Sequence, residues 1–249
     1  MSHKPLVLHE GALFIADAHY SFKHPLLLDF LQEIHSKKIV TTQLILMGDI
    51  FDLLFTDIVL TLERNREVIN LINVLSETIE IIYLEGNHDF NVEEIFPNIQ
   101  VYPLSKQPVK AQWMNKHVAL AHGDFGGERG YKVYTALIRN RLVQKILNSV
   151  DRLGNNFILN ALDTKLKEKD DCRSIKGFET YVQKHLSQID LSQYDYFIEG
   201  HFHQNIHLNM QKCRYINLAA FACQERYAVV RTDSEGSMLK DVKFMKGQA

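Results

Sequence analysis

"LEGNHDF", residues 84–90, follows directly on the apolar run "TIEIIY" at 78–83. That run is aliphatic and β-branched, as a buried strand requires. Gly86, Asn87, His88 and Asp89 are poor strand formers, and three of them are polar. Such a sequence at a strand end is either a tight turn, which Gly, Asn and Asp all favour, or a platform that holds reactive side chains at its tip.

The pattern recurs. "ALFIA" (12–16), "QLILM" (43–47) and "HVALA" (117–121) are short apolar runs, each followed at once by polar residues. The stretches "HPLLLDFLQEIHSKK" and "TLERNREVINLINVLSE" lie between them, with apolar positions three and four apart, which is helical spacing. Strands alternating with amphipathic helices predict an α/β sandwich with polar residues gathered where the strands end. Beyond residue 128 the pattern changes: "YKVYTALIRNRLVQKILNSV" has helical spacing at Val133, Leu137, Leu142, Ile146 and Val150 and a run of basic residues. The expectation is a helical lid inserted at 128–190 in one core made of 1–127 and 191–249. In the tail, "NIHLNMQKCRYINLAAF", "RYAVVRTD" and "MLKDVKFM" alternate like antiparallel strands of a second sheet.

The 249 residues, 46% hydrophobic and 23% charged, suffice for one large core. A net charge of −2 gives no global attraction to nucleic acid. Cys172, Cys213 and Cys223 are odd in number and lack CxxC spacing, so free thiols in a reducing compartment are expected. The start has no secretory signal, and no apolar run reaches the length of a spanning helix. A cytoplasmic protein, at most peripheral on the inner membrane, is expected.

Five strand ends present metal-type ligands: Asp17 and His19 in "ADAH", Asp49 and Asp52 in "GDIFD", Asn87, His88 and Asp89 in "GNHD", His122 and Asp124 in "HGD", and His201 and His203 in "GHFH". Any one alone fits a turn; five in one α/β chain point to a shared purpose. In an extended segment residues i and i+2 project to the same side, so "DAH" and "HFH" are each expected to reach one ion.

The five blocks resemble the signature of the calcineurin-like metallophosphoesterase superfamily. That resemblance implies a four-layer α-β-β-α sandwich with a helical cap. It assigns Asp17, His19, Asp49 and His203 to one ion and Asp49, Asn87, His122 and His201 to a second, with Asp49 bridging. Two divalent cations, Mn²⁺ first and Fe or Zn²⁺ as alternatives, suit such oxygen and nitrogen ligands, and a metal-bridging hydroxide would attack phosphorus. His88 is expected at the substrate, with Asp89 either fixing its tautomer or capping the turn. Asp52 is expected behind the ligands, and Asp124 to orient a loop.

Among the superfamily, "FIADAHY", "HGDFGGERGYKVYTALIRNR" and "GHFHQ" resemble the UDP-2,3-diacylglucosamine pyrophosphatases of lipid A biosynthesis. Enterobacterial members commonly carry Arg where His88 stands and often Glu where Asp52 stands. The resemblance implies cleavage of a lipid-linked nucleotide sugar to UMP and 2,3-diacylglucosamine 1-phosphate, with a lid that shelters acyl chains and touches the membrane. It places Glu128 and Tyr131 near the substrate, and Arg173 and Lys176 in "DDCRSIKGF" are candidates for the sugar phosphate, Arg as a planar fork and Lys as a mobile point charge. Alternatives are a soluble phosphodiesterase or protein phosphatase of the same superfamily, or a non-catalytic binding module. A nuclease would need a long basic groove.

Overall fold

The computed structural model describes residues 5–125, 129–167, 172–232 and 237–247. In chain order, β1 (Leu6–Val7), β2 (Leu13–Ile15), α1 (Leu26–His35), β3 (Gln43–Leu46), β4 (Leu54–Phe55), α2 (Val59–Arg64), α3 (Arg66–Ser76) and β5 (Glu80–Leu84) come first. Next are β6 (Asp89–Phe90), β7 (Gln100–Tyr102), β8 (Val109–Trp113) and β9 (Lys116–Ala121). Four helices follow: α4 (Arg129–Ile138), α5 (Arg141–Leu153), α6 (Phe157–Lys167) and α7 (Phe178–His185). The last elements are β10 (Tyr196–Glu199), β11 (Ile206–Met210), β12 (Cys213–Asn217), α8 (Phe221–Gln224), β13 (Arg226–Val230) and β14 (Leu239–Lys243).

Two sheets result, ordered β14-β13-β2-β3-β5-β7 and β1-β8-β9-β10-β12-β11. The strand period of two explains how they stack. In the first sheet Leu13 and Ile15, Leu44 and Leu46, and Ile81 and Tyr83 face α1 and α3. Their alternates Phe14, Ile45 and Ile82 meet Val118, Leu120 and Ile198 of the other sheet. Strands buried on both faces must read as continuous apolar runs, and these do. Each such buried side chain contributes roughly 1.5–3 kcal/mol. On the outer face of the second sheet, Phe178 and Val182 of α7 pack with Phe197 and Tyr215. The layers are therefore helix, sheet, sheet, helix.

Three expectations are corrected. The tail does not form one sheet: β11 and β12 pair antiparallel in the second sheet, whereas β13 joins β2 in the first. Sequence alternation fixes which face each strand buries, not which sheet it enters. The helix α7, grouped by sequence with the 128–190 lid, belongs to the outer layer of the core because its apolar stripe is buried there. Cys172 and Cys223 form a disulfide with Cα atoms 5.5 Å apart. They meet because Gln204 bonds Ile175 N and Gln224 bonds His203 O, which brings the segment before α7 beside α8. Cys213 is buried and unpaired.

Among the described residues, no helix is long and apolar enough to cross a membrane. A two-stranded parallel ribbon, β4 with β6, supports Leu53, Phe55 and Phe90, on which Leu159 of α6 is packed. This small core attaches the helices after β9 to the sandwich.

Candidate metal centre

β2, β3 and β5 run parallel in one sheet, as do β9 and β10 in the other. Their carboxyl ends therefore open on one edge, where the loops after them are free to converge. The structure brings all seven sequence-predicted ligands together there. Donor atoms of Asp17, His19 and His203 lie within 4.8 Å of one another, and so do those of Asp49, His122 and His201. The Asn87 carboxamide oxygen is 3.4 Å from His122 Nε2, which is itself 3.3 Å from an Asp49 oxygen. His203 Nε2 stands 3.1 Å from Asp17 Oδ1.

The local backbone differs from the extended one expected. Asp17, His19, Asp49, His201 and His203 all have positive φ, between 43° and 62°. Each loop turns sharply as it leaves its strand, and the turn itself, rather than strand alternation, aims both members of "DAH" and of "HFH" at the centre. Left-handed backbone costs a non-glycine residue on the order of 1–3 kcal/mol, which surrounding contacts must hold. Two of the motif glycines make room: a Cβ on Gly48 would strike the His122 ring, and one on Gly86 would strike Asp49.

Burial and hydrogen bonding shape the ligands. His122 Nδ1 is 2.9 Å from the Met47 carbonyl, so the tautomer that donates there leaves Nε2 for an ion. The His19 Nε2 atom is buried with no hydrogen-bond partner among the described residues. In a folded protein such an orphan polar atom is costly, and a cation taking the place of its proton would resolve it. The oxygen and nitrogen donor set, without thiolate, fits a divalent transition metal.

The charges respond to one another. Burial pulls His19 down, but Asp52, Asp49 and Asp17 outweigh it and raise the imidazole to about 9. Burial and then the neighbouring His122 push His201 down to about 3. Burial opposes the Asp49 charge, yet His122 and His88 hold its carboxyl well below the ordinary range.

His88 lies beside the ligands, with donor atoms of His19, Asp52 and His88 within 4.8 Å of one another. Its Nδ1 is 2.8 Å from the Asp52 carbonyl, and its ring lines a cavity of about 300 Å³. Asp52 itself sits 3.2 Å from His19 Nδ1. Asp89 requires correction as a catalytic group: it does not touch the His88 ring. Fully buried, it accepts from Asp49 N, Ile50 N, Phe51 N, Gly86 N and the Tyr83 hydroxyl. A carboxylate facing five donors braces the Asp49 loop against the Asn87 loop.

Glu128 lies outside the described residues, and Tyr131 falls in α4. Arg173 and Lys176 are exposed, on the segment that Gln204 holds beside His203. Three residues of the basic run, Arg139, Arg141 and Lys145, meet acids of the sandwich. Arg141 forks onto Asp57 and Glu94, with Lys145 also near Asp57. Arg139 donates to Gly86 O at 2.7 Å, lies 3.4 Å from both Glu85 and Asp124, and covers the Phe90 ring. Sequence reading groups Arg139 with a cationic helix face; nothing local distinguishes it, because its partners lie 15 to 54 residues away in sequence.

Residues 12–205 match the model of the calcineurin-like phosphoesterases. The UDP-2,3-diacylglucosamine hydrolase of Blochmanniella pennsylvanica is 24% identical over 225 residues, covering 86% of this chain and 88% of its own. That of Psychromonas ingrahamii is 27% identical over 140 residues, covering 55% of this chain and 57% of its own. Among solved structures, the Escherichia coli phosphoesterase YfcE covers 93% of this chain and 97% of its own, at 13% identity and a TM-score of 0.45. The matched span contains all five clustered loops, and the chain belongs to the calcineurin-like phosphoesterase family as a metal-dependent phosphoester hydrolase.

Proposed function

We propose that this chain cleaves the pyrophosphate of UDP-2,3-diacylglucosamine to UMP and 2,3-diacylglucosamine 1-phosphate with two divalent ions. Asp17, His19, Asp49 and His203 would hold one ion; Asp49, Asn87, His122 and His201 would hold the other, with Mn²⁺ as first choice and Fe or Zn²⁺ as alternatives. When bound, such ions supply an acidified water and neutralise phosphoryl oxygens. His88, anchored through Nδ1 on the Asp52 carbonyl, presents Nε2 to the reacting phosphate. There it stabilises the growing charge or, when protonated, gives its proton to the leaving oxygen. Asp89 holds the Asp49 backbone still while this happens.

One observation carries the choice of substrate. The cavity of about 300 Å³ beside Asn87 and His88 is walled by Phe55, Phe90, Ile138, Leu159, Leu162 and Leu166. An apolar chamber opening on a phosphoesterase centre suits an acylated phosphoester better than a phosphopeptide. Helices α4 to α6 form the lid that closes it. Outside, α5 and the start of α6 expose Leu142 (67%), Leu153 (91%) and Phe157 (74%), a patch suited to the acyl boundary of a membrane. Since Arg139, Arg141 and Lys145 face acids of the core, membrane contact would rest on this apolar face more than on a cationic one. The relatives named UDP-2,3-diacylglucosamine hydrolase support the same reading.

The test compares UDP-2,3-diacylglucosamine in detergent micelles with bis(4-nitrophenyl) phosphate and a phosphopeptide, each with added Mn²⁺. Dominant UMP release, followed by ³¹P NMR, is expected. Preference for either soluble substrate would make the chain a soluble phosphodiesterase or a protein phosphatase instead.

A further inference from the structure

A second cavity, of about 610 Å³, opens beside the loops that follow His19 and Asp49 and shares Leu53 with the apolar chamber. Its walls include Tyr20, Ser21 and Phe22 from the loop after His19, Asp52 and Leu53 from the loop after Asp49, Arg64 from α2, and Asp163 from α6. Leu53 lines both cavities. The ridge between them is Asp52–Leu53 with the His88 ring fixed to the Asp52 carbonyl. A diester whose phosphorus lies at the centre therefore has two rooms for its two arms.

The rooms differ in chemistry. The first is apolar over most of its wall, with Arg139, Gln144, Asn148 and Asp151 among its polar lining. The second carries an aromatic rim and carboxylates: Phe22 is 98% exposed at its mouth, Tyr20 is half-buried and packs edge-on against Phe51, and Asp52, itself 3.2 Å from His19 Nδ1, and Asp163 line its wall. Arg64 is tied to Asn160 at 2.8 Å and lies 3.8 Å from Asp163, so its charge is engaged with α6. Two acids and one engaged cation disfavour a further anion. They favour a neutral group rich in hydroxyl donors, and carboxylates are the usual partners of ribose hydroxyls. An exposed aromatic face takes a planar base by stacking.

We propose that this second cavity is the nucleoside subsite, with the base stacked on Phe22 and the ribose hydroxyls directed to Asp163, while both phosphates remain at the metal centre. The assignment rests on the proposed pyrophosphatase reading and deepens it. It makes Phe22 and Asp163 determinants of which leaving group is accepted.

The experiment has two readouts. First, KM and kcat are measured in Triton X-100 micelles for UDP-2,3-diacylglucosamine and for the analogue carrying methyl in place of uridine. Phe22→Ala should raise KM for the nucleotide about tenfold, the order expected for one lost base–aromatic stack. It should change kcat less than twofold and leave the methyl analogue unaffected, while Phe22→Tyr should restore the wild-type KM. Second, saturation-transfer NMR with UMP on the Mg²⁺-loaded protein should show uracil and ribose protons saturated in the wild type and not in Phe22→Ala. An unchanged nucleotide KM, or equal rises for both substrates, overturns the subsite. If the wild type does not hydrolyse the lipid nucleotide, the pyrophosphatase reading fails by itself. UMP saturation lost in Phe22→Ala then still supports a nucleoside subsite, and saturation equal in both proteins or absent from both overturns it.

Discussion

Asp89→Asn tests how the centre is built. Asp89 Oδ1 accepts from Asp49 N and Gly86 N, each at 3.0 Å. The other oxygen accepts from Ile50 N, Phe51 N and the Tyr83 hydroxyl. An amide in the same place has one acceptor. In its better orientation it keeps the latter three donors and turns its NH₂ on Asp49 N and Gly86 N. At pH 9, above the value of about 7 to which burial and Asp49 raise the Asp89 carboxyl, two buried hydrogen bonds to a charged group are then lost, at about 1.5–3 kcal/mol each, or about 3–6 kcal/mol in all. That is a large share of the ~5–15 kcal/mol that holds a typical domain. Urea unfolding of metal-stripped protein, followed by far-UV circular dichroism, measures it without the contribution of bound ions. Tyr83→Phe, which removes only one of the five donors, should cost about 1 kcal/mol in the same assay. A loss below about 1 kcal/mol for Asp89→Asn would refute the bracing role and reopen a catalytic one.

Asp49→Ala should lose metal, by elemental analysis, together with activity, whereas His88→Ala should keep its metal and lower kcat by roughly 10²–10⁴. Loss of metal from the His88 variant would contradict this division of labour. Arg139→Met strands Glu85 and Asp124, both buried, and should cost about 3–5 kcal/mol by urea unfolding; a loss too small to resolve would mean the pair is not coupled to folding. The proton on His19 gives a pH dependence. Its folded value of about 9 exceeds the ordinary 6.5, so the metal-free fold gains stability that is fully present below pH 6.5 and lost as pH rises through 9. A cation must displace that proton, so metal affinity should weaken as pH falls from 9. Calorimetry in buffers of different ionisation enthalpy should detect proton release on Mn²⁺ binding; a buffer-independent heat would count against it.

How much could be read beforehand differed by element. Strands β2, β3, β5, β9 and β10 were legible because both their faces are buried, which forces apolar runs, and because the ligands follow at once in sequence. The gathering of Asp17, Asn87 and His201 was legible in the order of those blocks, but their left-handed backbone was not. Asp and His tolerate that conformation better than most non-glycine residues, but only the loop geometry imposes it. The braces escaped notice because they are set by distant partners: Asp89 to the Asp49 loop 40 residues earlier, and Arg139 to Gly86. The outer apolar face of α5 has the same period as a buried one. Only the position of the helix on the sandwich determined that Leu142 and Leu153 face outward.

The positive φ angles at Asp17, His19, Asp49, His201 and His203 set folding and function against each other at single positions. Glycine there would relax the main chain and remove the very donor the position exists to offer. A search for hardier variants scored on melting temperature alone would drift toward an inert scaffold, because each of the three loops that carry these residues is easier to fold once it can no longer hold an ion.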